Sequence, residues 1–560
     1  MSTKPRARRG HVVPAIFGLA VVACSPFDGP QTGSQTNWLQ GCQIDAQCET
    51  GLQCLCGACT RACRREEGCA ALDGTSCVMA DDLGAIAQCA GNEPANAGLC
   101  LPRCEHDDCP RGTACVAGVC SPLPTPTARV TVDTSTRFQT LIGFGATVGY
   151  TNSDIAKHPK KVALLDAMFG QSGIDVLRLQ NRHEYSTAED LASSREIVDR
   201  AEQSLGRRPL LILTSWSPPA DLKANGATLC EGAPDTCTLV KLDSGGFDYA
   251  DFADWWRASL DAYAEEGIMP DYIGIQNNPN WTPGASDSKE ACRFLPTEGT
   301  TTVSVDGEDV DVEYPGFTEA LAAVVQGLAG LASRPKIMVP EVTGVTSVGD
   351  YVSQMDLSNV DAIAHHLYGT DPANVKVEEF EANAELSQQY ELPILQTEMQ
   401  SDGLGTAILM HYTLAVENAS AYVQNDFVRR PASLTENPEA LIDLTADDFT
   451  LQAPYFTMRH FALDTGPGWV RVGATSEDAD LLSSAWLSPE EDALTLVLVN
   501  AGLTEIDARV EFEQQEPASA EVTRTAFEGV EQGAALGELS AEHVVRVPGH
   551  SIVTVAMRND

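Results

Sequence analysis

The chain has 560 residues, 43% of them apolar, and a formal net charge of −43. That length suggests about two to four domains and a large core, which excludes a wholly disordered chain and a polytopic membrane protein. So acidic a chain offers no basic face to phosphates, which excludes a nucleic-acid binder. Of the 18 cysteines, fifteen lie at or before Cys120. A small cysteine-dense block joined to a large cysteine-poor one points to two stabilising strategies and an oxidising compartment.

In chain order, residues 1–23 read as an export signal. Lys4, Arg6, Arg8 and Arg9 precede an apolar run from Val12 to Val22 that is too short to span a bilayer. Val21-Val22-Ala23-Cys24 resembles a bacterial lipobox. It implies a lipid on Cys24, and so a protein anchored to a membrane of the bacterial cell envelope, not spanning it. Ser25, not Asp, at the next position implies the outer membrane. Residues 24–41, rich in Ser, Thr, Gly, Pro and Gln, read as a tether.

Residues 42–120 carry fourteen cysteines. The even number implies seven bridges whose connectivity the spacing does not give. Too few large apolar residues accompany them to form a core, so disulfides must hold this module. The cluster at 54–59 lacks a histidine pair, so the reading is disulfide, not zinc, and the chain calls for no metal or cofactor. Such a module is a stapled spacer or a surface for a protein or glycan partner that nothing in its residues specifies. Residues 121–127, SPLPTPT, form a Pro-rich linker.

Eight β-rich runs follow: 141–146, 175–180, 210–216, 272–277, 336–341, 361–368, 393–398 and 420–425. Amphipathic runs such as 247–266 and 377–390 separate several of them. Near-continuous apolar strands separated by helices indicate a parallel sheet, and eight units indicate a (β/α)8 TIM barrel, placed at 139–465. Arg178, Trp216, Asn277, Glu341, His366, Glu398 and Asn425 gather at the C-terminal ends of these strands, where barrel loops build active sites. After residue 466, short alternating runs without long helices read as an antiparallel β-sandwich, which the early strand at 128–138 is expected to join. The fold class is therefore α/β, with an appended sandwich and a disulfide-rich module in front.

A strand-end carboxylate in a barrel suggests glycoside hydrolysis, in which two carboxyl groups usually share the work. From about residue 128 to the C-terminus the chain resembles glycoside hydrolase family 30. The motifs that carry the resemblance, in order, are QTLIGFGA at 139–146, GIDVLRLQ at 173–180, TSWSPPADLKANG at 214–226, FDYADFADWWRASLDAYAEEGIMPDYIGIQN at 247–277, AHHLYG at 364–369 and LQTEM at 395–399, followed by PGWVRVGA and GHSIVTV in the sandwich. The resemblance implies a retaining mechanism on β-linked polysaccharides or oligosaccharides. It implies Glu398 as nucleophile and a role in binding for Arg178, Asn277, His366 and Tyr368. Trp216 and Trp281 are expected to stack on sugar, Trp255 and Trp256 to include core, and His365 to be structural.

One residue departs from the pattern. Where the family reads QNEP, this chain reads Gln276-Asn277-Asn278-Pro279. The acid/base position is Asn278, and an amide neither gives nor takes a proton near neutral pH. Glu341, Glu184 and Asp287 are candidates to replace it. The residues leave two further accounts open: a glycan-binding protein that does not cut, and an interaction protein working through the cysteine-rich module. Cys230 and Cys237 are spaced for a bridge, and Cys292 is left over.

Overall fold

The computed structural model describes residues 126–559, apart from 232, 285–286, 306–307, 332, 431–439, 515, 530 and 540–542, together with parts of the segment between 48 and 122. The export signal, Cys24 and the tether lie outside the described residues. So does the full set of bridges in the cysteine-rich module. Within its described parts, Cys63–Cys77 links two short strands, and Cys48–Cys59 and Cys69–Cys100 each tie a strand to a residue outside the strands.

The eight expected strands close into a parallel barrel. They are β1 (Gly143–Val148), β2 (Val176–Gln180), β3 (Leu210–Thr214), β4 (Tyr272–Gly274), β5 (Lys336–Val342), β6 (Ala362–His366), β7 (Ile394–Glu398) and β8 (Ala421–Gln424). They run in sequence order around the barrel, and β8 pairs with β1 to close it. Alternation along each strand fills the interior. Val176, Ile212, Met338, Ala362, Ala364, Leu395, Ala421 and Val423 form one apolar cluster inside the barrel.

Local sequence explains the helices that hold the site. In Ala188–Leu205, Thr187 and Asp190 form a capping box, and Gly206 ends the helix in the left-handed conformation. Tyr249–Glu265 starts on Asp248, whose side chain accepts from the Asp251 amide. Its buried stripe of Phe252, Trp255, Trp256, Leu260 and Tyr263 follows helical spacing. Both tryptophans are therefore core. Trp256 Nε1 donates to the Ile275 carbonyl at 3.2 Å, and the Tyr263 hydroxyl donates to the Gln180 carbonyl at 2.8 Å. One helix thus ties down the C-terminal ends of β2 and β4.

The C-terminal domain is one nine-stranded sheet. The early strand joins it as Ala128–Thr140, between Val470–Ser476 and Ile506–Phe512. The sheet is mixed, not purely antiparallel, because Ala128–Thr140 lies parallel to Ile506–Phe512. One face closes over its own core of Val130, Leu496, Leu498, Val545 and Val555. On the other face Trp486, Val497, Val499 and Ile552 join the barrel's outer core, with Trp486 edge-on to Phe144 at 6.3 Å. Each large apolar side chain buried here contributes roughly 1.5–3 kcal/mol, so the sheet braces the barrel.

Candidate active site

A cavity of about 640 Å³ opens at the C-terminal end of the barrel. Thr147, Trp216, Asn277, Asn278, Thr343, Tyr368, Glu398 and Asp426 reach it from the ends of different strands, and Trp281, Lys289 and Glu290 from the segment after β4. Glu398, Asn277, Asn278, Trp216, Trp281 and Tyr368 therefore meet in one cleft, as the sequence suggests.

Glu398 is held at both oxygens. Arg178 Nη1 donates to Oε2 at 2.6 Å, and the Tyr368 hydroxyl donates to Oε1 at 2.8 Å. Burial, and then the charge of Glu398, push the Tyr368 phenol far above its usual range, so it stays protonated and remains a donor. A carboxylate fixed by two donors, with its mouth on a cavity, is oriented for attack on an electrophilic carbon.

Arg178 and His366, both expected to take part in binding, sit beneath the cavity wall. Neither lines the cavity. Arg178 is fully buried one layer down. Its Nη2 donates to Asn277 Oδ1 at 2.6 Å and to Glu341 Oε1 at 3.1 Å, and its guanidinium lies 4.3 Å from the Trp216 ring centroid. Burial opposes its charge, but Glu341 and Glu398 outweigh it and hold the guanidinium above its ordinary range. Arg178 is thus a positioning residue that sets Glu398, Asn277 and Trp216 at once. His366 is also fully buried. Burial, then the charge of Arg178, keep it well below its usual range and neutral. Its ring stands perpendicular to that of Tyr368, 6.0 Å between centroids. His365 is structural as expected, with Nε2 2.8 Å from Glu417.

Glu341 does not take the place of Asn278. It is fully buried beneath the cavity, where Thr214 Oγ1 donates to its second oxygen at 3.0 Å. A bulge in β5 and a φ of 57° turn its carboxylate inward. Gly274 of β4 makes the room, since a β-carbon there would collide with that carboxylate. Burial pushes the Glu341 carboxyl upward, against the pull of Arg178. Glu184 and Asp287 are exposed and do not line the cavity.

Asn278 has a φ of 47°, a left-handed conformation that Asn tolerates better than most residues. Its backbone N–H donates to the Glu341 carbonyl at 3.0 Å. Its buried Oδ1 has no hydrogen-bond partner among the described residues.

Two carboxyl groups on the cavity were not singled out from sequence. Glu290 Oε2 accepts from the Tyr150 hydroxyl at 2.8 Å and also from the Gln180 amide. It lies on a short strand inside the long segment after β4, and only a three-dimensional return brings it back. Asp426 follows β8 directly, beside the strand-end Asn425 that the sequence did flag. Burial, then the nearby charge of Glu398, raise its carboxyl to about 7.

Against Trp281 at the cavity wall, Cys230 and Cys237 are bridged. Lys223 donates to the Thr228 carbonyl at 3.1 Å and to the Ala291 carbonyl, fixing the same loop. Cys292 is a buried free thiol, pushed up to about 12 by burial, which makes it inert as a nucleophile at neutral pH.

No protein-family model and no curated protein matches the sequence. Solved structures do match the fold. The glycoside hydrolase family 30 subfamily 8 xylanase Xyn30A from Clostridium acetobutylicum is 20% identical, with a TM-score of 0.56, over 77% of this chain and 99% of that one. The catalytic domain of the family 30 xylanase C from Talaromyces cellulolyticus is 16% identical, with a TM-score of 0.58, over 77% and 100%. The endo-beta1,6-glucanase BT3312 is 16% identical, with a TM-score of 0.55, over 79% and 95%. At these identities the likeness is one of fold: this chain carries a barrel and sheet of the kind seen in these two xylanases and this glucanase.

Proposed function

We propose that the protein is a carbohydrate-active protein of the retaining glycoside hydrolase type that acts on O-glycosidic bonds of β-linked glycans. The observation that carries this reading is Glu398, a strand-end carboxylate oriented by Arg178 and Tyr368 on the floor of a cleft that Trp216 and Trp281 also line. Glu398 attacks the anomeric carbon and forms a glycosyl-enzyme, which water then hydrolyses. Asn278 can hydrogen-bond the glycosidic oxygen but cannot protonate it. Aryl β-glycosides with good leaving groups need no such proton and are expected to turn over with retained configuration, read by NMR of the first-formed sugar. Inversion, or no turnover on any β-glycoside, contradicts the reading.

Asn278→Glu gives a sharper test. A positioned acid contributes about 10²–10⁴-fold. The variant is expected to raise kcat/KM on natural β-glycans by up to that factor, and by little on dinitrophenyl glycosides. A gain near the top of that range means that wild type has no other acid, and little gain means that another group of the cleft already supplies the proton. The amide at 278 also supports a second reading, a glycan receptor that does not cut. It predicts glycan affinity that survives Glu398→Gln and no turnover in any variant.

We also propose that lipid on Cys24 holds the protein at the bacterial envelope, the outer membrane in particular, with residues 24–41 as the tether. Cys24→Ala is expected to move the protein from the membrane to the soluble fraction. An unchanged membrane fraction contradicts the anchor.

A further inference from the structure

The geometry points to Asp426 as the acid/base of this cleft, acting on the glycosidic oxygen in place of Asn278. The inference rests on the retaining reading above and adds a residue to it.

Asp426 is pinned from both sides. The Asn425 amide donates to the Met399 carbonyl at 2.9 Å, and the Phe427 amide donates to the Thr147 carbonyl at 2.9 Å. Asp426 is therefore fixed between the residue that follows Glu398 on one side and the end of β1 on the other. Its own carbonyl accepts from Leu441 at 3.1 Å. No described residue hydrogen-bonds its carboxyl, which opens on the cavity that Glu398 also faces. Backbone anchors on both flanks and a free carboxyl on the cavity are what a group needs to meet a substrate oxygen with little reorganisation.

The charges around it set its proton. Burial favours the neutral acid most, and Glu398, facing it from β7, adds to that. Arg429, Arg178 and Lys289 work the other way. The balance leaves the carboxyl near pH 7, where it can both give and take a proton. Glu290 is less suited, because two donors already occupy its Oε2.

The chemistry balances in two steps. The Asp426 carboxylic acid gives its proton to the glycosidic oxygen as the C1–O bond breaks and Glu398 bonds to C1, releasing an alcohol. The Asp426 carboxylate then takes a proton from water as the water oxygen bonds to C1 and the C1–Glu398 bond breaks.

The test compares 2,4-dinitrophenyl with phenyl β-xylosides and β-glucosides in wild type, Asp426→Asn and Glu290→Gln. The expected result for Asp426→Asn is a loss of about 10²–10⁴-fold in kcat/KM on the phenyl glycosides. On dinitrophenyl glycosides kcat/KM is retained, kcat falls as the glycosyl-enzyme accumulates, and azide restores turnover by forming a glycosyl azide. Wild-type kcat/KM on phenyl glycosides should fall as pH rises through about 7, and this limb should vanish in Asp426→Asn. Labelling of Glu398 by a 2-deoxy-2-fluoro glycosyl donor reports separately that each variant keeps a folded site. If Glu398 is labelled but Asp426→Asn leaves the phenyl rates and the pH limb intact, Asp426 is not the acid and the retaining reading stands. If Glu290→Gln gives the losses instead, the role belongs to Glu290. If wild type is never labelled and never turns over, both readings fall.

Discussion

Replacing Glu398 with Gln should lower kcat/KM on every aryl β-glycoside by at least about 10⁴-fold, the scale of nucleophile knockouts. Gln keeps the volume but has one acceptor oxygen, so it accepts from Arg178 or from Tyr368 and turns its NH2 toward the other donor. Glu341 still balances the Arg178 charge, so unfolding should show a modest loss of about 1–3 kcal/mol, below that of removing Arg178. The substitution removes the charge and nucleophilicity of the carboxylate together with one of its two acceptor oxygens. It should also let Asp426 hold its proton less tightly, because Glu398 is the second cause of that raised value, after burial. A variant that keeps a tenth or more of wild-type turnover would place the nucleophile elsewhere.

The second large effect belongs to Arg178. This fully buried guanidinium sits between two carboxylates, Glu341 and Glu398. Removing one partner of a buried pair costs about 3–5 kcal/mol, because the other charge is left uncompensated. Arg178→Met keeps the bulk and should cost about that much in urea unfolding at neutral pH, with a matching loss of Glu398 labelling. The sign of its pH dependence follows from Glu341, whose folded-state value burial already raises. Losing the cation drives it higher still, so the folded variant binds protons more tightly than the unfolded chain. The destabilisation should therefore be small below the unfolded glutamate value of about 4.3 and grow as pH rises above it. An equal loss at low and neutral pH would mean that packing, not charge, sets the cost. Gly274, which leaves space for the Glu341 carboxylate, is part of the same arrangement.

The barrel is legible in the sequence because each strand is buried on both faces and reads as a short apolar run. The strand-end rule also finds Glu398, Asn277 and Trp216, and the family resemblance adds Tyr368. The rule does not give depth. Arg178 lies two residues before the end of β2, so its side chain enters the barrel one layer below the cavity. His366 stands in the same relation to Tyr368. The mixed character of the C-terminal sheet escapes a local reading because Ala128–Thr140 and Ile506–Phe512 are far apart in sequence. Glu290 and Asp426 escape for different reasons. Glu290 returns to the cleft through a long loop, whereas Asp426 sits in plain view after β8 but is an ordinary aspartate until burial and Glu398 change its proton affinity.

The central claim is that Glu398 is a live nucleophile in a sugar-binding cleft. The most direct measurement is intact-mass and peptide analysis of the wild-type protein after incubation with dinitrophenyl 2-deoxy-2-fluoro-β-glycosides of xylose and glucose. The account predicts one fluoroglycosyl adduct per chain, on Glu398, absent from Glu398→Gln. No adduct with either sugar, or an adduct on another residue, would contradict it.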